Sequence, residues 1–229
     1  MKNIVVLTGA GISAESGIQT FRDSDGLWEN HRVEDVATYD AWLRNPSLVR
    51  EFYNQRRKSV FEALPNEGHK QLVRLEDSFR VDIVTQNIDD LHERAGSRNV
   101  LHLHGEAKKL VSETNSNEII ELSTWEQTED MLDSKGRLLR PFIVWFGEAV
   151  PNIEPAIRLC EQADIMIVIG TSLNVYPAAG LLSYAKSSCV KYLVDPKEPN
   201  TNLKGINFIK EKASVGVKRV VDDIISKYV

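Results

Sequence analysis

Short runs of β-branched and apolar residues recur along the chain, separated by segments with helical spacing. The runs are "NIVVLT" at 3–8, "RVDIVT" at 80–85, "NVLHLH" at 99–104, "DIMIVIG" at 164–170 and "VKYLVD" at 190–195. Because they are apolar nearly throughout, they are typical of strands buried on both faces. Such strands alternating with helices predict an α/β, doubly wound protein: a Rossmann-like parallel sheet with helices on both faces.

The alternation fails between Glu106 and Arg140. This segment contains a hairpin-like "KKLVSETNSNEIIELS" at 108–123, a polar helix candidate "STWEQTEDMLD" at 123–133 and the breaker Gly136. It predicts a small inserted domain. We expect one catalytic domain over 1–229, with a large Rossmann-like part at about 1–30, 66–105 and 147–229 and small-domain parts at about 31–65 and 106–146.

Composition narrows the class of protein. The 229 residues are 42% hydrophobic and carry a formal net charge of -5, which argues against a protein that mainly grips nucleic-acid phosphates. Only Cys160 and Cys189 are present, too few for a disulfide framework or a four-thiolate zinc site. The longest buried-looking run, "IMIVIG" at 165–170, is too short to span a bilayer. We expect a cytoplasmic protein that binds neither nucleic acid nor membrane.

The first strand is followed by a glycine-rich turn. Gly9, Gly11 and Ala14 match G-x-G-x-x-G/A, which would place backbone N–H groups and a helix N-terminus against a pyrophosphate. An ordinary dinucleotide-binding domain continues with a helix, a second strand and an acidic residue about 20 positions on. Here Gly17 interrupts the helix almost at once and no second strand follows.

Two later strand ends also suit a nucleotide. "GTS" at 170–172 and Asp195, which closes "KYLVD", both lie where open α/β sheets bind ligands. The pattern favours a nucleotide held in an unusual orientation, with Phe21 and Arg22 on a loop that covers its reactive end. The alternative is that the glycines merely shape a surface loop.

Polar residues follow the second strand run, in "TQNIDDLHERAG" at 85–96. Gln86, Asn87 and Asp89 come directly after the strand and before a short helix that Gly96 can end. Their amides and carboxylate could hold a ribose and an amide group, whereas Asn87 or Asp89 could equally cap the helix. We expect both capping and ligand contact.

The run "VLHLHG" ends with two histidines, His102 and His104, on the same side of a strand. A strand-end histidine is often only a hydrogen-bonded structural group, and H-x-H could form half a metal site. Gly105 would let a substrate approach closely, and this favours His104 as a catalytic base.

An arginine interrupts an apolar helical stripe in "EFYNQRRKSVF" at 51–61. The stripe consists of Val49, Phe52, Tyr53, Arg56, Val60 and Ala63, while Lys58 points the other way. Tyr53 and Arg56, at i and i+3, project together and could bind a carboxylate through a hydroxyl and a guanidinium. The alternative is an arginine paired with an internal carboxylate.

Taken together, these segments resemble the sirtuins, the NAD-dependent protein deacylases. The segments that carry the resemblance are "GAGISAESGIQTFRD" at 9–23, "TQNIDDLHERAG" at 85–96, "LHGE" at 103–106, "RPFIVWFGE" at 140–148 and "GTSLNVYPAA" at 170–179. The resemblance implies a Rossmann-type domain and a small domain, with NAD and an acyl-lysine peptide meeting between them. It also implies that the loop after the fingerprint closes over NAD, with Phe21 beside the nicotinamide.

The resemblance implies roles for individual residues. His104 matches the general base, and Asn87 the second catalytic residue. The implied cofactor contacts are Gly9, Ala10, Gly11, Ala14, Phe21, Arg22, Gln86, Asn87, Ile88, Asp89, Gly170, Thr171, Ser172, Asp195 and Ala213, although many relatives have asparagine at the position of Asp195. Val144 matches a backbone partner of the acyl-lysine and Phe146 a wall of its tunnel. Tyr53 and Arg56 resemble the Y-x-x-R signature of sirtuins that remove succinyl and other acidic acyl groups.

The implied reaction removes acetyl and succinyl groups from lysine and gives nicotinamide and O-acyl-ADP-ribose. An NAD glycohydrolase, an ADP-ribosyltransferase or an idle NAD-binding module could use the same cofactor pocket. Most sirtuins hold a structural zinc with four cysteines, but the interval from Glu106 to Arg140 has none, so we expect no metal. We expect apolar contacts to hold the small domain instead, made by Leu110, Ile119, Ile120, Leu122 and Trp125.

Overall fold

The computed structural model describes residues 1–19, 27–28, 31–171, 178–198 and 204–229. The strands are β1 (Asn3–Thr8), β2 (Leu27–Trp28), β3 (His31–Arg32), β4 (Arg80–Thr85), β5 (Val100–His102), β6 (Gly105–Val111), β7 (Ile119–Glu121), β8 (Arg140–Ile143), β9 (Ile165–Ile169), β10 (Val190–Val194) and β11 (Ile206–Ile209). The α-helices are α1 (Val33–Val36), α2 (Tyr39–Arg44), α3 (Pro46–Glu62), α4 (Glu67–Val73), α5 (Leu91–Ala95), α6 (Ile153–Gln162) and α7 (Ala213–Tyr228). Short 3-10 helices cover Ala10–Ile12, Ala14–Ser16, Arg74–Asp77 and Ala178–Tyr184.

Six parallel strands form the large sheet, in the order β11-β10-β9-β1-β4-β5. Numbered along the chain, these six strands follow the Rossmann order 3-2-1-4-5-6, which confirms the predicted fold class. The order reverses between β1 and β9, and such a switch point is where open α/β sheets bind ligands. The fingerprint after β1 and the turn after β9 therefore lie at the same edge.

Helices cover both faces of this sheet. Ile4 and Val6 of β1 pack in the core shared with α4 and α7, whereas Val5 and Leu7 pack in the core shared with α6 and the 3-10 helix at 178–184. Successive side chains of a strand point to opposite faces. Burial on both faces explains why the strand runs are apolar nearly throughout.

A second sheet of three antiparallel strands, β7-β6-β8, lies within the segment where the strand–helix alternation fails. β6 and β7 form the predicted hairpin. The helix predicted at 123–133 is wrong, because buried side chains of α3 bind the backbone of this segment in an irregular conformation. Asn54 Oδ1 accepts the Gln127 N–H at 2.8 Å, and Arg57 donates to the Trp125 carbonyl at 2.8 Å. Strand β11 was not predicted, since its run "INFI" is short and includes an asparagine.

The apolar contacts expected in the small sheet are only partly present. Leu110 and Leu122 pack with Leu139 in a buried cluster. The expectation is wrong for Ile119, Ile120 and Trp125, whose exposed fractions are 43%, 42% and 37%.

Arg57 provides a polar anchor in this region. Its buried guanidinium donates to the Ala107 carbonyl at 2.6 Å, to Asn54 Oδ1 at 2.8 Å and to the Trp125 carbonyl at 2.8 Å. Burial lowers the pKa of Arg57 to about 10, so the side chain remains charged at neutral pH. One side chain of α3 thereby joins β6 to the segment around Trp125.

None of the helices among the described residues is long and apolar enough to cross a membrane.

Candidate active site

Two glycine turns pack against each other at the switch point of the large sheet. The Gly11 N–H donates to the Gly170 carbonyl at 2.8 Å, and the Gly9 N–H donates to the Ile169 carbonyl at 3.0 Å. A Cβ on Gly11 would lie 2.6 Å from the Gly170 Cα, so a side chain there would force the turns apart. The N–H groups of Gly9 and Gly11 therefore already donate to carbonyls of the protein itself. Two 3-10 helices, Ala10–Ile12 and Ala14–Ser16, take the place of the α-helix expected after β1.

A cavity of about 590 Å³ opens beside these turns, a size suited to a ligand. It is lined by every described residue that the sequence assigned to cofactor or substrate: Gly9, Ala10, Gly11, Ala14, Tyr53, Arg56, Gln86, Asn87, Ile88, Asp89, His104, Val144, Phe146, Gly170, Thr171, Asp195 and Ala213. Phe21, Arg22 and Ser172 lie outside the described residues. The fold thus brings together groups from 9–14, 53–56, 86–89 and 143–148.

His104 lines the cavity with a neutral imidazole. Its Nδ1 lies 3.0 Å from the Gln86 carbonyl, which can only accept a hydrogen bond, so Nδ1 carries the proton and Nε2 keeps its lone pair. Burial lowers the pKa of His104, and the hydrogen bond to Gln86 opposes this only in part. His104 can therefore accept a proton at neutral pH.

His102 lies in different surroundings and is not among the cavity-lining residues. Its Nδ1 lies 2.9 Å from the Asn87 carbonyl and its Nε2 lies 2.8 Å from Glu93 Oε1. Burial acts to lower the pKa of His102, but the hydrogen bond and charge of Glu93, together with the Asn87 hydrogen bond and the charge of Glu106, outweigh it, and the pKa is raised. His102 thus supports the backbone of Asn87, and the part of the chain that the structure describes contains no cluster of three His, Cys, Asp or Glu that could hold a metal.

Gly105 follows His104 for a different reason from the one expected. A Cβ on Gly105, at φ 84°, would collide with the Phe142 carbonyl oxygen. The glycine therefore admits the backbone of β8, and the expectation that it admits a substrate is wrong.

Asn87 and Asp89 are held by a side chain that the sequence reasoning missed, Ser13. Asn87 Nδ2 donates to Ser13 Oγ and to the Gly9 carbonyl, both at 3.2 Å, and Ser13 Oγ donates to Asp89 Oδ2 at 3.0 Å. Asp89 Oδ1 also accepts the N–H of Leu91, the first residue of α5, at 3.2 Å. The N-cap position of α5 is Asp90, whose side chain makes no capping hydrogen bond, so the expectation that Asp89 or Asn87 is the N-cap residue is wrong. Burial raises the pKa of Asp89. Serine within the fingerprint was the available signal for this network.

The turns after β4 and β9 are joined by Gln86, whose Nε2 donates to Thr171 Oγ1 at 3.2 Å. This contact links two residues that the sequence assigned to the cofactor.

Helix α3 brings Tyr53 and Arg56 to the wall of the same cavity. The helix begins where Asn45 accepts the N–H of Leu48 and Pro46 occupies the first turn. Tyr53 and Arg56 are both buried, at 2% and 8% exposure, and both line the cavity, as their i, i+3 spacing predicts. Burial raises the pKa of the Tyr53 hydroxyl far above its usual value, and the charge of Arg56 opposes the shift, so Tyr53 stays protonated.

The segment after β8 forms the adjoining wall. Val144 donates its N–H to the His104 carbonyl at 3.0 Å, so any backbone contact with a ligand must come from the Val144 carbonyl. Phe146 lines the cavity with 49% of its surface exposed. Trp145 also lines it, and the sequence reasoning gave Trp145 no role.

Known proteins resemble this chain in sequence and in fold. The Sir2 family model matches residues 9–177. A Bacteroides thetaiotaomicron protein named NAD-dependent protein deacylase is 54% identical over 226 residues, which cover 96% of this chain and 97% of the relative.

Two solved structures share the fold. One, a crystal structure of a Sir2 homologue–NAD complex, aligns with a TM-score of 0.88 at 39% identity and covers 99% of this chain and 90% of its own. A Sir2–p53 peptide–NAD+ structure aligns with a TM-score of 0.83 at 31% identity and covers 97% of this chain and 93% of its own. These matches confirm the resemblance inferred from the motifs: the chain belongs to the Sir2 family, the sirtuins.

Proposed function

We propose that this protein is an NAD-dependent protein-lysine deacylase that removes acetyl groups and acidic acyl groups such as succinyl. Its membership of the Sir2 family and its identity to a named NAD-dependent protein deacylase support the reaction class and the cofactor. The observation that carries the acyl specificity is that Tyr53 and Arg56 line the same cavity as His104.

The described residues fit NAD. The cavity lies at the switch point of the sheet, and the ends of β1, β4, β9 and β10 contribute lining residues to it. Asp195, Lys212 and Ala213 line the part of the cavity near α7. When bound, NAD supplies ADP-ribose as the acyl acceptor and nicotinamide as the leaving group, and the proposed products are nicotinamide, deacylated lysine and O-acyl-ADP-ribose.

The residues of this chain would act as follows. His104 accepts a proton from a ribose hydroxyl at Nε2, while the Gln86 carbonyl holds the ring. Ser13 and the Gly9 carbonyl fix the amide of Asn87 at the edge of the cavity. The Val144 carbonyl binds the acyl-lysine, Phe146 forms a wall for it, and the walls of the cavity exclude water. The roles inferred for Phe21, Arg22 and Ser172 remain predictions.

Tyr53 and Arg56 would recognise the acyl group. A succinyl carboxylate at this wall would accept hydrogen bonds from the Tyr53 hydroxyl and from the charged Arg56 guanidinium, whereas an acetyl group would make neither contact. Hydrogen bonds to a charged group contribute about 1.5–3 kcal/mol each. Loss of the Arg56 donors should therefore act selectively on acidic acyl groups.

The test measures nicotinamide release from NAD with matched acetyl-lysine, succinyl-lysine and unmodified peptides, and follows peptide mass in parallel. We expect release coupled to acyl loss. Arg56→Met should lower kcat/KM for the succinyl peptide by about 10- to 100-fold and that for the acetyl peptide by no more than about threefold. Arg50→Met is the matched control, because Arg50 lies on the same helix and pairs with exposed Glu129 outside the cavity.

Two results would contradict the proposal. Equal loss of both activities in Arg56→Met would refute the acyl specificity. Equal nicotinamide release with all three peptides would identify an NAD glycohydrolase and refute the deacylase.

A further inference from the structure

The hydroxyl of Tyr53 receives one hydrogen bond from within the protein. The indole Nε1–H of Trp145 donates to Tyr53 Oη at 3.0 Å. A phenol oxygen both accepts and donates, so the proton of Tyr53 itself must point away from Trp145. The described part of the chain offers no acceptor for that proton, although Tyr53 is only 2% exposed and lines the cavity.

Trp145 is itself held from several directions. The Arg140 guanidinium lies 3.7 Å from the centre of the indole ring, and Glu148 Oε2 accepts the Trp145 backbone N–H at 2.7 Å. Arg140 and Glu148 bind each other through two hydrogen bonds, of 2.8 and 2.9 Å. A paired arginine and glutamate therefore fix both the ring and the backbone of Trp145.

We propose that Trp145 is a positioning residue for acidic acyl groups: its indole N–H occupies the acceptor side of the Tyr53 hydroxyl and directs the Tyr53 proton toward the substrate carboxylate. This inference rests on the proposed function of Tyr53 and Arg56. A donor that is already oriented loses little rotational freedom on binding. Without the indole N–H, the hydroxyl is free to rotate toward other orientations before a carboxylate arrives.

Trp145→Phe tests the inference, because it keeps an aromatic ring and removes the N–H. Calorimetry on the NAD-free protein should show binding of a succinyl-lysine peptide weakened by about three- to tenfold, the effect of one hydrogen bond. Binding of the matched acetyl peptide should change by less than about twofold. In turnover, KM for the succinyl peptide should rise while kcat stays near the wild-type value, since the contact serves binding and not the chemical step.

Trp42→Phe is the matched control. Trp42 packs 6.0 Å from Trp145 in the same apolar cluster, but its indole donates to Glu113 and it does not line the cavity. Trp42→Phe removes the same side-chain volume as Trp145→Phe and should leave the ratio of succinyl to acetyl binding unchanged. Replacement of Trp145 by 3-benzothienylalanine keeps the size of the ring and substitutes sulfur for the N–H, which separates the hydrogen bond from packing if Trp145→Phe folds poorly.

A double-mutant cycle with Tyr53→Phe completes the test. Once the hydroxyl is absent, Trp145→Phe should produce no further change in the succinyl-to-acetyl ratio. An unchanged ratio in Trp145→Phe or the sulfur analogue, or the same drop in the Tyr53→Phe background, would overturn the inference and leave the acyl specificity standing. A wild-type protein indifferent to the succinyl group would refute the acyl specificity itself, and this inference with it.

Discussion

His102 and His104 lie two residues apart, yet their surroundings shift their pKa values in opposite directions. His104 has a backbone carbonyl at Nδ1 and a buried ring, so its pKa is lowered. His102 is also buried, but the Glu93 carboxylate at Nε2, the Asn87 carbonyl and the charge of Glu106 together raise its pKa. Paired groups whose surroundings push their pKa values apart are suited to different tasks. His104 keeps a lone pair at Nε2 and can act as a base, whereas His102 has an acceptor at each ring nitrogen, the Asn87 carbonyl and Glu93.

The lowered pKa of His104 predicts a shifted pH profile. A general base must be unprotonated, so kcat/KM for an acetyl-lysine peptide should fall as pH drops through the pKa of His104. That fall should be centred below 6.5, the ordinary histidine value. His104→Ala should lower kcat by about 10²- to 10⁴-fold.

His31→Gln is the control for this profile, since His31 lies outside the cavity. An acid limb centred above the ordinary histidine value, or one that persists in His104→Ala, would argue against His104 as the base.

Helix α3 serves both the cavity and the small sheet. Tyr53 and Arg56 on one face of the helix line the cavity, while Asn54 and Arg57 on the adjacent face bind the backbone around Ala107, Trp125 and Gln127. The orientation of the cavity wall therefore depends on how firmly the helix is joined to β6. A polar anchor at this junction fixes direction better than an apolar contact, because hydrogen bonds require particular geometry.

Arg57→Met should loosen this junction. The change removes the Arg57 donors from the buried Ala107 carbonyl and the part-buried Trp125 carbonyl, while Asn54 Oδ1 keeps the Gln127 N–H. A buried group that loses its partner costs about 1–3 kcal/mol. We expect the free energy of unfolding to fall by about 3 kcal/mol or more, and amide exchange to increase over 105–143 before it increases in the large sheet.

Arg50→Met on the same helix breaks a pair whose glutamate is mostly exposed and should cost less than about 1 kcal/mol. Equal effects of the two substitutions would show that Arg57 is not an anchor.

At the scale of the whole molecule, two buried histidines connect the helices on one side of the large sheet to β1. The rings of His69 on α4 and His92 on α5 meet edge to face, 4.9 Å apart. His92 Nε2 lies 3.1 Å from Thr8 Oγ1, and His69 Nδ1 accepts the Asn66 N–H that opens α4. Burial lowers the pKa of both rings, to about 4 for His69.

This pair predicts acid sensitivity of the fold. Below the ordinary value of 6.5, the unfolded chain binds protons that the folded protein excludes down to about pH 4. The contribution of His69 to the free energy of unfolding should therefore be complete above pH 6.5 and should decline by roughly 3 kcal/mol as the pH falls toward 4. Urea denaturation at several pH values should show the slope, and His69→Gln should flatten it.

His31→Gln, at a partly exposed ring outside the pair, should leave the slope unchanged. A slope that is the same in wild type and His69→Gln would contradict the assignment.

Much of the fold could be predicted because its signals are local. The strand runs of β1 and β4 were placed at their observed bounds, since strands buried on both faces need apolar residues at nearly every position. The helix predicted at 123–133 failed because its polar pattern was local, while its conformation is set by Asn54 and Arg57, which lie far away in sequence.

The sequence by itself determined the fold class, the family and the residue types gathered at the strand ends, because strand periodicity and contiguous motifs are properties of neighbouring positions. Only the tertiary structure decided what each group does with its neighbours. It fixed Ser13 between Asn87 and Asp89, lowered the pKa of His104 while raising that of His102, and placed the indole of Trp145 on the Tyr53 hydroxyl. Burial and hydrogen-bond partners across distant segments set protonation and orientation, and no local pattern encodes them.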